Sequence, residues 1–141
     1  MLRYLKEWMI KPACFLPPEW AIQKSVWLSW PHNEETWTAV ELSLVEKEYA
    51  CFVLELVEVV EVNVLVLNEE HQSHVSSVLG SVNNLKYFIV KTNDAWVRDH
   101  GPDFVWELET KSKILLNWGY NSWGEKYPPF EADNNVPLGI S

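Results

Sequence analysis

The side chains with the clearest potential for chemistry lie in ten consecutive residues, 93–102, with the sequence NDAWVRDHGP. This stretch holds two carboxylates, Asp94 and Asp99, and the indole of Trp96. A carboxylate can accept two parallel N–H bonds from a planar guanidinium, and an indole face attracts the same cation. The combination predicts a guanidinium pocket. A plainer interpretation stays open, in which Trp96 is a core aromatic, Asp94 forms a turn and Asp99 pairs with Arg98 or caps a loop.

The spacing of apolar residues predicts the elements that position this stretch. Strands are expected at 26–30, 59–67 and 85–90, with helices at 36–58 and 69–79 between them and a hairpin at 103–108 and 113–118 after them. Strand, helix, strand, helix, strand and hairpin together predict the α/β class. The tail from Gly119 has no clear period and predicts an irregular loop.

The first predicted helix begins at Thr36 as its cap and ends near Glu58. Its apolar face is expected to comprise Val40, Leu44, Val45, Tyr49, Phe52, Val53, Leu56 and Val57. Its solvated face is expected to carry Glu41, Glu46, Glu48 and Glu55. The second helix is expected to end at Gly80, where a left-handed cap costs least.

Composition bounds the class of protein. The 141 residues are 48% hydrophobic, which excludes general disorder, and the net charge of −9 makes a nucleic-acid partner unexpected. Two cysteines without disulfide-rich or metal-type spacing favour a cytoplasmic location. No stretch approaches the roughly 20 apolar residues of a membrane-spanning helix, so no membrane partner is expected. Cys14 and Cys51 are interpreted as small structural residues.

Three ordered blocks resemble the agmatine deiminase and Porphyromonas-type peptidylarginine deiminase family, within the guanidino-group modifying superfamily. They are residues 18–20 with 26–37, residues 93–102, and residues 117–127 with Asp133 beyond. The similarity runs from about Leu16 to the C-terminus. Residues 21–25 depart from the His-Glu or Gln-Glu pattern that usually precedes the Trp-rich strand.

The resemblance implies part of a five-bladed α/β propeller of the pentein type, with about one module and part of a second. Residues 1–15 form an unassigned leader, and residues 16–141 form the N-terminal portion of the propeller domain. Modules of a repeat architecture bury faces against their neighbours. Exposed edges, apolar patches, a homo-oligomer or dependence on a missing C-terminal portion are therefore expected.

The resemblance also assigns site residues. Asp99 matches the carboxylate that binds the guanidinium, and Trp96 matches the residue that lines the pocket. The nucleophilic cysteine and general-base histidine of the family lie in later segments, so no catalytic residue, cofactor or metal is expected in this chain. Trp123 is a weaker candidate for substrate binding, and a hydrophobic loop anchor is an equal alternative. An aromatic and acidic surrounding with Lys126 as its one basic group suits agmatine better than peptidylarginine.

The histidines are given structural interpretations. We expect His100 to pack behind the motif, because it and Asp99 would point to opposite faces of an extended segment. His71 and His74 are spaced as metal ligands could be, but lack a nearby third ligand, so we expect surface exposure. His32 can shape the pocket rim.

Three functions stay open. The first is the N-terminal portion of an agmatine deiminase of putrescine biosynthesis, inactive when isolated; a peptidylarginine deiminase fragment is its close alternative. The second is a catalytically dead guanidine-binding or interaction module. The third is a Trp-rich domain that binds another ligand, such as a carbohydrate.

Overall fold

The computed structural model of the chain describes residues 13–141. Its strands are β1 (Cys14–Phe15), β2 (Ser25–Ser29), β3 (Glu61–Val66), β4 (Leu85–Ile89), β5 (Asp103–Glu107) and β6 (Lys113–Leu116). Its helices are α1 (Ala39–Val57), α2 (Glu69–Leu79), α3 (Val97–His100), α4 (Ser122–Glu125) and α5 (Glu131–Gly139). The predicted α/β order of strands and long helices is confirmed.

A parallel sheet forms the main layer, with β3 between β2 and β4. Val62, Val64 and Val66 alternate along β3 and belong to the core that the sheet shares with α1 and α2. The β-branched residues of this strand, which suit a sheet, are the signal from which it is predicted. Asn63 and Leu65 point to the other face and are buried as well.

The N-cap of helix α1 lies two residues later than predicted. Its N-cap is Thr38, which forms a reciprocal capping box with Glu41, so the expectation of Thr36 as the cap is wrong. The predicted apolar face is also too broad, because Val40, Leu44 and Phe52 are exposed. Leu44 and the buried Val53 are nine residues apart, and at roughly 100° per residue they point to opposite sides of the helix. The predicted set of apolar residues is therefore wider than the face that packs on the sheet.

Helix α2 and the following turn agree with the prediction. Asn68 caps the helix by accepting a hydrogen bond from the backbone N–H of His71 (2.8 Å). Gly80 follows with φ of 72°, in the left-handed region that glycine adopts without strain.

A second, antiparallel sheet has the order β1-β5-β6, in which β5 and β6 form the predicted hairpin. The tail beyond it is not wholly irregular: α5 is a nine-residue helix, so the prediction of a loop from Gly119 is wrong there. Its own N-cap Phe130 offers no side-chain bond, and the side chain of Asn93 accepts from its N-terminal amides instead. A partner forty residues away in the chain leaves no local capping signal.

Several large apolar side chains are exposed, as expected of a module with uncovered faces. The most exposed are Trp20, Ile22, Val59 and Val40, with Trp118 next. Residues 1–12 of the predicted leader lie outside the described residues, and Cys14 and Phe15 at its end pair with Glu107 and Trp106. Within residues 13–141, no helix is long and apolar enough to cross a membrane.

Candidate functional site

An open pocket lies where the motif leaves the parallel sheet, and its volume is about 1120 Å³. We call it the aromatic pocket. Its walls come from the segment after β2, the segment after β4 and the region of α4 and α5. Its lining residues are His32, Asn33, Glu34, Glu35, Thr36, Thr92, Asn93, Asp94, Trp96, Tyr120, Ser122, Trp123, Lys126, Tyr127, Pro128, Pro129 and Asp133. Strand ends carry such sites because the sheet holds their backbone rigid while the loops vary.

The aromatic side chains form one connected group around Trp96. Its ring centroid lies 6.5 Å from that of Trp37 and 6.2 Å from that of Trp123. The Trp123 ring in turn contacts the rings of Tyr120 at 5.7 Å and Tyr127 at 6.0 Å. Trp96 and Trp123 are 43% and 50% exposed, so their rings are open to a ligand. The structure thus brings two of the three predicted binding residues together.

Acidic groups outnumber basic ones in the pocket. Its lining contains three accessible carboxylic acids, Glu34, Glu35 and Asp94, against the single ammonium of Lys126, whereas the Asp133 carboxylate in the same lining is 2% exposed. A concave wall of one charge sign concentrates ligands of the opposite sign. Aromatic faces next to carboxylates can hold a cation, whether guanidinium or ammonium.

Asp94 connects two walls of the pocket. One of its carboxylate oxygens accepts from the hydroxyl of Thr36 (2.5 Å), and the other accepts from the backbone N–H of Ala95 (2.7 Å). The second bond is local and joins Asp94 to the next residue of the chain. The first bond reaches the segment after β2 and could not be seen in the local sequence.

Asp99 is exposed on α3 and does not belong to the pocket lining. Arg98 pairs with Glu19, so the alternative in which it pairs with Asp99 is not seen. The Glu19 carboxylate raises the pKa of the Arg98 guanidinium. Asp99 therefore keeps a carboxylate open to a ligand, and its role stays a prediction.

His100 occupies the opposite side of α3 and is buried, as predicted. The segment is helical rather than extended, but neighbouring residues on a one-turn helix also diverge by roughly 100°. Its Nε2 lies 3.7 Å from a carboxylate oxygen of Asp133, and neither ring nitrogen has a hydrogen-bond partner within the described residues. Burial lowers the pKa of His100 and raises the pKa of Asp133. Both directions favour neutral side chains.

The other histidines meet near the pocket rim. The ring centroid of His71 lies 5.7 Å from that of His32 and 6.4 Å from that of His74. His74 is exposed, while His71 is partly buried and accepts a hydrogen bond from the backbone N–H of Leu67 (3.1 Å). Among residues 13–141, no group of three His, Cys, Asp or Glu side chains could hold a metal ion.

Glu46 departs from its predicted place on the solvated side of α1. Its carboxylate accepts from the indole N–H of the buried Trp30 (2.7 Å) and lies 2.7 Å from Nε2 of His74. The two cysteines are exposed, and neither lines the aromatic pocket.

Comparisons with known proteins agree on one family. The family model of Porphyromonas-type peptidyl-arginine deiminase matches residues 15–141. The agmatine deiminase of Pseudomonas fluorescens is 27% identical over 127 residues, which cover 86% of this chain and 33% of that protein. The chain spans about a third of the length of the curated relatives that it matches.

Solved structures show the same relation. The agmatine deiminase of Enterococcus faecalis gives a TM-score of 0.77 at 26% identity, covering 90% of this chain and 34% of that one. A substrate-bound agmatine deiminase of C. jejuni gives a TM-score of 0.76 at 26% identity, and the match covers 91% of this chain and 36% of that one. These matches confirm the predicted fold class, part of an α/β propeller of the pentein type.

Proposed function

Because the chain belongs to the Porphyromonas-type peptidyl-arginine deiminase family, we propose that it supplies the N-terminal portion of an agmatine deiminase. Such an enzyme hydrolyses the guanidinium of agmatine to N-carbamoylputrescine and ammonia, a step of putrescine biosynthesis. A cytoplasmic location fits this role.

The observation that carries the proposal is the juxtaposition of Trp96 and Trp123 with the carboxylic acids of Glu34, Glu35 and Asp94 in one pocket. Agmatine carries a guanidinium at one end and an ammonium at the other. An indole face binds either cation, and a carboxylate binds a guanidinium through two parallel N–H bonds. A pocket of this composition favours a ligand with two positive ends over one that also carries a carboxylate.

We assign Trp96 and Trp123 to stacking against the cation and Asp99 to accepting N–H bonds from the guanidinium. In the deimination that this family resemblance implies, a thiolate attacks the guanidinium carbon and carboxylates hold the cation for that attack. A histidine then protonates the departing ammonia and activates water. None of the 141 residues matches the family's nucleophile or base, so the isolated chain is expected to bind agmatine without releasing ammonia.

Two neighbouring functions make different predictions. A fragment of a peptidylarginine deiminase would need basic side chains to receive the substrate's main-chain carboxylate or peptide group, and Lys126 is the one such residue in the pocket lining. A catalytically dead guanidine-binding module would bind agmatine equally well but would not require a C-terminal partner. The first alternative is tested by ligand preference and the second by complementation.

The direct test is calorimetric titration of the 141-residue chain with agmatine, arginine and butylamine. We expect agmatine to bind most tightly, because butylamine lacks the guanidinium and arginine adds a carboxylate beside Glu34, Glu35 and Asp94. Trp96→Ala should weaken agmatine binding by about fivefold or more, the magnitude of a partly exposed cation–π contact. Trp118→Ala is the matched control, since this indole is 74% exposed and lies outside the pocket lining.

Equal affinity for all three ligands, or affinity indifferent to Trp96, would overturn the proposed pocket. Ammonia release by the isolated chain that depends on Asp99 would overturn the expected inactivity. Restored ammonia release on adding the C-terminal two thirds of an agmatine deiminase would distinguish an enzyme portion from a dead binding module.

A further inference from the structure

The motif segment and the last helix are joined by an exchange of hydrogen bonds between Asn93 and Asp133. One carboxylate oxygen of Asp133 accepts from the backbone N–H groups of Asn93 (2.7 Å) and Asp94 (3.3 Å). The side-chain oxygen of Asn93 accepts from the backbone N–H groups of Ala132 (2.9 Å) and Asp133 (3.3 Å). Each side chain thus binds the backbone at the other residue. We call this arrangement the Asn93–Asp133 exchange.

The exchange lies in the interior. Asp133 is 2% exposed, and its carboxylate is the one charged or polar side chain of α5 that the structure buries to this extent. A buried oxygen that accepts two backbone N–H bonds is costly to remove, because both donors lose their partner at once. The exchange therefore constrains the backbone of residues 93 and 94 strongly.

Trp96 depends on that backbone for its position. Its indole makes no hydrogen bond in the described part of the chain and is held by ring contacts with Trp37 and Trp123. Trp96 is also the N-cap residue of α3, and its carbonyl accepts from the N–H groups of Asp99 (2.9 Å) and His100 (3.1 Å). A shift at residue 94 would carry both the indole and the start of α3 with it.

We propose that Asp133 is a positioning residue of the aromatic pocket, which through the Asn93–Asp133 exchange holds the Trp96 indole in its ligand-binding place. The inference rests on the proposed function, because it assigns Trp96 the contact with the cation. It adds a residue from α5 whose part in ligand binding is indirect. What Asp133 contributes is an acceptor oxygen at a fixed place, so an amide at this position should serve as well as a carboxylate.

The test uses the 141-residue chain labelled with 5-fluorotryptophan, in which Trp96→Phe identifies the Trp96 fluorine resonance. Three variants are compared with the wild-type chain. Asp133→Ala removes the acceptor, Asp133→Asn keeps an oxygen at the same place, and Glu131→Ala removes a carboxylate from the same end of α5. The Glu131 side chain accepts from the backbone N–H of its neighbour Phe130 (3.1 Å), which makes it a local control.

We expect Asp133→Ala to shift or broaden the Trp96 resonance in the ligand-free chain and to weaken agmatine binding by about fivefold to tenfold. Asp133→Asn and Glu131→Ala should keep both the resonance and the affinity. If Asp133→Ala does not fold, Asn93→Ala is used instead, because it removes the other half of the exchange. It should change the Trp96 resonance and the agmatine affinity in the same way.

If the Trp96 resonance of Asp133→Ala is the same as that of the wild-type chain, the inference is overturned. The same holds for Asn93→Ala where that variant replaces Asp133→Ala. An equal displacement in Asp133→Asn would overturn it as well, since charge and not the acceptor would then matter. If the wild-type chain binds no agmatine, the proposed function fails, while the ligand-free resonance still decides whether Asp133 positions Trp96.

Discussion

Acidification from pH 7 to pH 5 should destabilise the folded chain through His71. Partial burial lowers the pKa of His71 from 6.5 to about 4, and the nearby His32 and His74 act in the same direction. The Nδ1 atom of His71 accepts a hydrogen bond from the backbone N–H of Leu67, so protonation of this nitrogen would remove the acceptor. The neutral ring is therefore part of the folded structure.

The size of the effect follows from the two pKa values. Because the folded-state pKa lies below the unfolded one, the unfolded chain takes up the proton first, and stability falls between about pH 6.5 and pH 4. For values of 6.5 and about 4, this linkage costs about 0.2 kcal/mol at pH 7 and about 2 kcal/mol at pH 5. His71 is only partly buried, and solvent screening reduces the difference to about 1 kcal/mol.

Urea denaturation at the two pH values measures this difference, with His71→Gln as the variant. A glutamine oxygen can accept from the Leu67 N–H but takes up no proton, so the variant should lose about 1 kcal/mol less than the wild type. His74→Gln is the comparison variant, because this exposed ring accepts no backbone hydrogen bond. Since the charge of His74 contributes to lowering the pKa of His71, this variant should lose somewhat less than the wild type but clearly more than His71→Gln. Equal losses in His71→Gln and in the wild type would refute the reasoning.

Three further substitutions probe other parts of the structure. Gly101→Ala should cost about 1–3 kcal/mol in urea denaturation, because an added Cβ would lie 2.5 Å from the carbonyl oxygen of Val97 and the backbone must shift; an unchanged midpoint would contradict this. Trp30→Phe keeps most of the buried ring but removes the N–H bond to Glu46, and a loss of about 1–2 kcal/mol is expected in the same measurement. Asp99→Asn should reduce agmatine affinity about fivefold in calorimetry, and an unchanged affinity would remove Asp99 from the guanidinium contacts.

The sequence predicted those elements whose signals are local. The segment around β3 is rich in β-branched residues, and α2 has both an Asn68 cap and a terminal Gly80, so both were placed correctly. Helix α5 was missed because its N-terminal amides are satisfied by Asn93, far from it in the chain. Local patterns cannot report such a partner.

The candidate site likewise has features that the sequence predicts and features that depend on tertiary contacts. Trp96, and more weakly Trp123, were predicted as binding residues with the help of the family resemblance, and they share one pocket. Asp94 was predicted as a cation-binding or turn-forming carboxylate, without its bond to Thr36, and Glu46 was assigned to solvent although it accepts from a buried indole. Both errors have one cause, because a carboxylate's hydrogen-bond partners depend on tertiary contacts that residue spacing does not encode.

The Asn93–Asp133 exchange has a consequence for the order in which the growing polypeptide acquires structure. The three strands of the parallel sheet lie within residues 25–89, so they can pair while the ribosome is still adding later residues. The wall that carries Trp96 must wait until Asp133 has left the exit tunnel, since a loop of forty residues closes there. A nascent chain would thus hold a formed sheet before it holds a formed pocket.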